Sequence, residues 1–194
     1  MSFEAPFPPY NASDPYATFL NSTCMDLLLI EMVPMAYRLN NELTIAGQDG
    51  VKPVVDEDEQ KEAAFRRLET SGYRVGQGLV ERFSRDRPRF TDTLDVIKFL
   101  CKDMWALLFR KQIDNLKTNH RGVYVLTDNS FKPFSRMSMS SSSEAVSRAQ
   151  PYLWFPCGVI RGGLASMGIT ATVQAETSEL PAATFQIKTT NAKA

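Results

Sequence analysis

The chain has 194 residues, 43% of them hydrophobic, and its 22 basic residues balance 22 acidic ones, so the formal net charge is zero. This length and composition suit one globular domain with a real core. A nucleic-acid-binding protein normally shows a basic excess; the only local excess here is the run Arg82, Arg85, Arg87 and Arg89, so nucleic-acid binding is not expected.

The cysteines and the histidine exclude several kinds of site. Cys24, Cys101 and Cys157 are odd in number, widely spaced and form no CxxC pair. They predict no disulfide framework, and the reducing cytosol is the natural compartment. Because His120 is the only histidine, we expect neither a zinc site nor any other metal site.

No segment resembles a membrane span or a signal peptide. The most apolar stretch, residues 27–39, contains Glu31 and Arg38 and is shorter than the ~20 apolar residues that a spanning helix needs. The N-terminus lacks a basic region followed by an apolar run. We therefore expect a soluble protein that reaches membranes only through partners.

The first predicted helix has an unusual apolar surface. Residues 1–13 are rich in proline and aromatics and predict an irregular arm. Asn21 or Ser22 can then cap a helix that runs to about Asn40, with Pro34 inside it. Its apolar residues cover almost the whole circumference, which predicts burial on more than one side.

The second predicted helix carries glycines on its apolar face. Residues 46–60 contain glycines, a proline and consecutive acids, which predict a solvated acidic loop. The helix that follows runs from about Glu59 to Arg85. Gly72 and Gly76 lie one turn apart on its apolar stripe, and each glycine in a helix costs up to ~1 kcal/mol relative to alanine. Their placement predicts that another element packs closely there.

A third helix and a hairpin are predicted next. Thr91 or Asp92 caps a predicted helix that runs to about Lys111. Only a narrow strip of this helix is polar, which predicts that it is the central helix of the core. Residues 122–128 predict a strand, and residues 131–137 predict the strand that returns in a hairpin.

The C-terminal part predicts a loop, a helix and two strands. Residues 138–148 are serine-rich and predict a low-complexity loop. A helix covers about residues 152–167, with Gly158 and Gly162 as a second small-residue face, and Gly168 ends it. Strands near 169–178 and 183–189 follow.

These elements predict an α/β (α+β) fold, with helices packed on one side of a four-stranded antiparallel sheet in the order α-α-α-β-β-α-β-β. The expected organisation is a single domain over residues 14–189 and a tail over residues 190–194.

The candidate chemical motifs are weak. Gly76-x-Gly78 lacks the third glycine of a dinucleotide fingerprint and follows a helix rather than a strand. A catalytic pair of His120 with Cys101 or Cys157 is conceivable, but thiols in apolar helices are usually inert packing residues. The alternatives for Arg161, a buried ion pair or an exposed contact, stay open. We assign no catalytic residue and no cofactor.

The apolar first helix is the stronger functional signal. One domain of this size offers limited core, so a helix apolar on all sides predicts an exposed patch that a partner covers. The residues expected in that partner interface are Leu28, Met32, Met35, Leu39, Val75, Leu79 and Phe83. In isolation, such a face is expected to allow a homodimer.

Three blocks of sequence resemble a known family. The block Leu68-Glu-x-x-Gly72-Tyr-x-Val-Gly76-x-x-Leu79-x-Glu81 is similar to the signature of the small TRAPP subunits. Residues 99–120, with Phe99-Leu-Cys101-Lys102-Asp103-x-Trp105, and residues 157–164, with Cys157-Gly-x-Ile-Arg161-Gly162-Gly163-Leu164, resemble the subunit-six branch (the yeast thirty-three-kilodalton type). The similarity spans about residues 20–189.

The resemblance implies a function without catalysis by this chain. It implies a heterodimer with a Bet-three-type subunit through the first two helices, and assembly into a complex that tethers transport vesicles. That complex activates Rab GTPases by nucleotide exchange at Golgi and ER–Golgi membranes. The acylated cysteine of the Bet-three relative has no counterpart, because no cysteine lies between Cys24 and Cys101.

Two other classes of function remain as alternatives. One is a hydrophobic-ligand or acyl-chain binding module, since relatives of this fold can hold such ligands. The other is a thiol enzyme that uses Cys157.

Overall fold

The computed structural model describes residues 21–46, 56–85, 87–119, 121–138 and 141–190. Within these residues, helices pack against one face of a four-stranded antiparallel sheet. The predicted fold class is therefore confirmed. The predicted arm at 1–13, residues 47–55 of the acidic loop, His120 and residues 191–194 of the tail lie outside the described residues.

Two long helices open the fold, and acidic or amide side chains cap them. Helix α1 spans Ser22–Ala46, beyond its predicted end near Asn40, and the Asn21 side chain accepts from the Thr23 amide at 3.0 Å. Helix α2 spans Glu57–Phe83, and the Asp56 carboxylate accepts from an amide of its first turn. The acids that follow Asp56 lie where the helix dipole favours negative charge.

The third helical region is divided into three parts. Helix α3 spans Thr93–Phe99, with Asp92 as its cap, and a π-helical turn at Leu100–Met104 joins it to α4, Trp105–Phe109. Arg110, in the left-handed conformation with φ 61°, ends α4. This region is largely buried, as predicted for the central core helix.

The sheet has the order β1-β2-β4-β3, and all neighbours are antiparallel. Its strands are β1 at Asn115–Thr118, β2 at Val123–Asp128, β3 at Ala171–Glu176 and β4 at Ala183–Thr189. In the central pair β2–β4, Leu126 stands opposite Phe185. Both side chains are buried on the face that the helices cover.

The predicted return strand at 131–137 is wrong. Residues Lys132–Arg136 form a 3-10 helix, and β2 pairs instead with β1, which precedes it. Phe131 and Phe134 are both buried and lie three residues apart, which is a helical spacing, whereas Pro133 cannot donate a hydrogen bond to a sheet. Strand β1 is polar and mostly exposed, so its sequence gives little strand signal.

The predicted serine-rich loop at 138–148 is wrong in its second half. Residues Ser142–Ala149 form α5, a 3-10 turn follows at Gln150–Leu153, and α6 spans Trp154–Ser166. Ala149 is fully buried and anchors α5 against the core. Gly168, with φ 76°, ends α6 as predicted.

A buried polar network fixes α4 against the sheet. Asp128 is fully buried at the end of β2 and accepts hydrogen bonds from Trp105 Nε1 at 2.8 Å and Lys111 Nζ at 2.5 Å. Lys111 also donates to Asp114 at 2.8 Å, and Asp114 accepts from the Asn129 amide. Because a buried carboxylate is costly unless it is paired, this network holds these elements in one arrangement.

Candidate functional site

Helix α1 meets the fold with one side only. Val33 and Ala36 form a small buried cluster with Ala64 and Leu68 of α2 and with Trp154 of α6. The opposite side of α1 faces solvent although it is also apolar. Several large side chains there and on α2 are more than a third exposed: Leu27, Leu28, Ile30, Met35, Phe65 and Val75. We call these six residues the α1–α2 apolar patch.

The structure divides the seven predicted interface residues into two groups. Leu28, Met35 and Val75 are 55%, 41% and 39% exposed and belong to the α1–α2 apolar patch. The others are half-buried, and three of them pack against the core. These four half-buried residues are Met32, Leu39, Leu79 and Phe83.

Three members of the patch were not singled out from the sequence: Leu27, Ile30 and Phe65. The signal for Leu27 and Ile30 was present, because α1 is apolar around its whole circumference. Which side the fold covers depends on distant elements, and periodicity does not show it.

Charged side chains that form ion pairs lie near the patch residues in the sequences of α1 and α2. Glu31 pairs with Arg38 along α1, and Glu62 pairs with Arg66 along α2 at 2.6 Å. Asp26 lies 3.6 Å from both Lys132 and Arg136, which ties the start of α1 to the 3-10 helix at 132–136. Apolar side chains beside charged ones are the usual anatomy of a protein interface.

Helices α2 and α6 are in backbone contact at the four predicted packing glycines. An added Cβ at Gly72 would lie 2.1 Å from the Phe155 carbonyl oxygen, and one at Gly76 would lie 2.2 Å from the Val159 carbonyl oxygen. On α6, a Cβ at Gly158 or Gly162 would lie 2.0 Å from a carbonyl oxygen of α2. The two helices therefore present matching glycine pairs to each other, and no side chain larger than hydrogen fits there.

Arg161 belongs to an ion pair, which answers the question that its sequence left open. Its guanidinium makes two hydrogen bonds to the nearly buried Glu69 carboxylate, one of them from Nη2 at 2.8 Å. The guanidinium carbon also lies 4.5 Å from the centre of the Tyr73 ring. The hydrogen bonds to Glu69 raise the pKa of Arg161. Together, these contacts hold α6 against α2 beside the glycine contacts.

The two cysteines considered as nucleophiles, Cys101 and Cys157, lie in surroundings that keep a thiol protonated. Cys101 and Cys157 are buried, and burial raises the pKa of each thiol to about 12. A thiol that stays protonated is a poor nucleophile.

Among the described residues, no group of three or more His, Cys, Asp or Glu side chains could hold a metal ion. No helix in the described part of the chain is long and apolar enough to cross a membrane.

An α+β fold whose helical layer exposes several large apolar side chains is typical of a protein that assembles with other proteins. The family model described as "Transport protein particle (TRAPP) component" matches residues 25–190. This chain therefore belongs to the TRAPP component family, whose members act in vesicle transport and tethering.

Curated relatives agree with this assignment. The chain is 53% identical to trafficking protein particle complex subunit 6B from Homo sapiens over 121 residues, 62% of this chain and 75% of that protein. It is 47% identical to human subunit 6A over 120 residues, 62% of this chain and 74% of that protein. The predicted resemblance to the subunit-six branch is confirmed.

The fold itself matches a more distant relative. A crystal structure of trafficking protein particle complex subunit 3 from Naegleria fowleri, covalently bound to palmitic acid, aligns with TM-score 0.64 over 88% of this chain and 98% of that one, at 14% identity. This similarity shows a shared fold. In this chain, no cysteine lies between Cys24 and Cys101.

Proposed function

We propose that this chain is a non-catalytic core subunit of the TRAPP vesicle-tethering complex and forms a heterodimer with a Bet-three-type subunit. The α1–α2 apolar patch is the contact surface. Within the assembled complex, the chain supports nucleotide exchange on a Rab GTPase that other subunits carry out. The complex attaches from the cytoplasm to Golgi and ER–Golgi membranes, and this chain reaches the membrane only through it.

The exposed apolar side of α1 is the observation that carries this proposal. Fully burying a leucine or methionine side chain is worth roughly 1.5–3 kcal/mol. Leu27 and Leu28 are 60% and 55% exposed, so covering each of them is worth about 1 kcal/mol. Four such side chains on one helix and two more on α2 give a partner a substantial gain in binding free energy.

Two other functions are less well supported. An acyl-chain binding module needs space between its helices, whereas α2 and α6 are in backbone contact at four glycines. A thiol enzyme needs a thiolate, whereas burial raises the pKa of Cys157 to about 12.

Co-purification with a Bet-three-type subunit tests the interface. Co-expressed wild-type chains should give a stable one-to-one complex by size exclusion with light scattering. Leu28→Asp and Met35→Asp should each weaken it about a hundredfold or more, because an aspartate buried at the contact loses its hydration without gaining a partner.

A matched control separates the interface from the fold. Ser147→Asp places the same side chain at an exposed position of α5 that is not part of the patch, and should leave the complex intact. Met32→Asp should also break the complex, but Met32 packs against the core, so its folding is checked by circular dichroism. A wild-type chain without affinity for the Bet-three-type subunit would refute the proposed heterodimer.

The absence of catalysis by this chain is tested separately. Release of a fluorescent guanine nucleotide from a Rab GTPase should be accelerated by the assembled complex and not by the isolated chain. Acceleration by the isolated chain would show that it carries the exchange activity itself.

A further inference from the structure

The arginine run after α2 is not explained by the α1–α2 apolar patch. Residues 82–89 contain four arginines and one acid, Asp86. They lie at the C-terminal end of α2 and in the connection to α3. A groove of about 610 Å³ opens at this connection, and none of its lining residues belongs to the patch.

The groove combines basic and apolar groups. Arg85, Arg87 and Arg89 line it together with apolar side chains from three parts of the chain. The apolar lining residues are Pro88, Phe90, Val96, Met167 and Ile169. A surface of this kind offers both an ionic contact and a contact for a hydrophobic side chain.

Arg87 is held by the fold. Its guanidinium pairs with Asp103 at 2.5 Å and lies 5.0 Å from the centre of the Phe99 ring. By contrast, Arg85 and Arg89 are exposed and have no acidic partner within the described residues. These two guanidiniums are available to a ligand.

Two described carboxylates near the groove have partners of their own. Asp92, the one acid among the described residues that line the groove, accepts from the Asp95 amide at 2.7 Å as the cap of α3. Asp95 accepts from the Thr91 hydroxyl at 2.6 Å and pairs with Lys98. Asp92 and Asp95 thus have structural roles, whereas Arg85 and Arg89 make no ion pair within the described residues.

Favourable interaction with the helix dipole accounts for part of the cluster only. Basic residues in the last turn of a helix stabilise its C-terminal end, and Arg82 occupies that place in α2. Arg89 lies six residues after Phe83, the last residue of the helix. The dipole effect falls off within the last turn, so it does not explain Arg89.

We propose that this groove binds an acidic peptide segment of a partner protein. Carboxylates of the segment pair with Arg85 and Arg89, and an apolar side chain of the segment contacts Phe90 and Met167. Guanidinium groups suit this role because they can hold a carboxylate with two hydrogen bonds. An anionic membrane surface or a nucleic acid would need a more extended basic surface than a chain of zero net charge offers here.

Fluorescence anisotropy with a designed probe tests this proposal. The probe is a fluorescein-labelled peptide of glutamates around one phenylalanine, and the control probe has glutamine in place of every glutamate. The wild-type chain should bind the acidic probe saturably and one-to-one, more weakly as salt increases. It should bind the glutamine probe about tenfold less tightly or worse.

Two double variants with the same change in charge locate the site. Arg85→Glu with Arg89→Glu should lose binding by about tenfold or more. Arg121→Glu with Lys188→Glu changes two exposed cations elsewhere and should keep it. Arg89→Gln alone, which is less disruptive to folding, should give an intermediate loss. Circular dichroism checks that each variant is folded.

The contradicting results are distinct. No saturable binding by the wild-type chain, or equal loss in both double variants, overturns the proposal. So does arginine-dependent binding to phosphatidylserine vesicles without binding to the peptide, which would assign the groove to lipid. The arginine variants should still form the proposed heterodimer, and Leu28→Asp should still bind the probe, so this proposal and the heterodimer can fail independently.

Discussion

Replacing Gly76 with alanine should destabilise the fold, although alanine is the better helix former. The new Cβ would lie 2.2 Å from the Val159 carbonyl oxygen and 3.0 Å from the Gly163 amide nitrogen. Ordinary van der Waals contact begins near 3.4 Å. Because the opposing atoms are backbone, no change of rotamer relieves the overlap, and α2 and α6 must move apart.

The structure sets the size of the effect. Overpacking typically costs 1–3 kcal/mol where side chains can yield. Here the separation also loosens the contacts at Gly72, Gly158 and Gly162, so the gross cost should exceed that range. Better helix propensity returns up to ~1 kcal/mol. The net loss in the free energy of unfolding should therefore be about 2–4 kcal/mol.

Gly78 provides the matched control two residues along the same helix. Apart from the adjoining residues and backbone of its own helix, no described heavy atom lies within 4 Å of a Cβ built at Gly78. Gly78→Ala should therefore stabilise the isolated chain by up to ~1 kcal/mol through helix propensity alone. Both substitutions replace a glycine with an alanine, but they are expected to change the free energy of unfolding in opposite directions.

Urea unfolding of both variants, followed by tryptophan fluorescence and circular dichroism, measures the difference. Unchanged m-values would show that both unfold like the wild type. If Gly76→Ala were neutral within ~0.5 kcal/mol, or stabilising like Gly78→Ala, the inferred backbone contact between α2 and α6 would be refuted.

Two further predictions concern charged groups. Arg161→Ala should lower the free energy of unfolding in urea by about 1–2 kcal/mol, because it leaves the nearly buried Glu69 carboxylate without its bidentate partner. The loss is moderate because the arginine itself is partly exposed. A double-mutant cycle with Glu69→Gln that shows no coupling would contradict this. The hydrogen bond from Lys111 lowers the pKa of Asp114 in the folded protein. The ionised carboxylate therefore stabilises the fold at pH values above its unfolded pKa of about 3.9. This stabilisation is lost as the pH falls through the pKa of the folded state. Asp114→Asn should therefore make stability less dependent on pH below about 4, and an acid limb with the wild-type slope would count against the assignment.

The sequence predicted most elements, and its errors have identifiable causes. Helix α2 and strand β4 are periodic, α1 and α6 are long apolar runs, and Asn21 and Asp92 are strong capping residues. The serine-rich segment of α5 has no comparable pattern, so a loop is predicted there. Strand β1 was missed because an exposed, polar edge strand has no apolar alternation. The segment at 132–136 forms a 3-10 helix and not the predicted strand, and its few apolar residues define no clear period that could separate the two.

The candidate interface shows the same limit. The sequence identified α1 as apolar on all sides and therefore as a partner surface. It did not show that Leu27 and Ile30 are exposed, or that Leu79 and Phe83 pack against the core. Exposure on a uniformly apolar helix depends on which distant elements reach it, and local periodicity carries no information about that.

The amino-acid sequence by itself determined α1, α2 and α6, the family and the glycine spacing on α2 and α6, because each of these is a pattern of neighbouring residues. Only the tertiary structure decided three other features: the match of the two glycine pairs, the pairing of Arg161 with Glu69, and the side of α1 that stays uncovered. The physical reason is that each of these features joins residues far apart in the chain. Arg161 and Glu69 are 92 positions apart, and their contact exists only once the α2–α6 helix pair has closed.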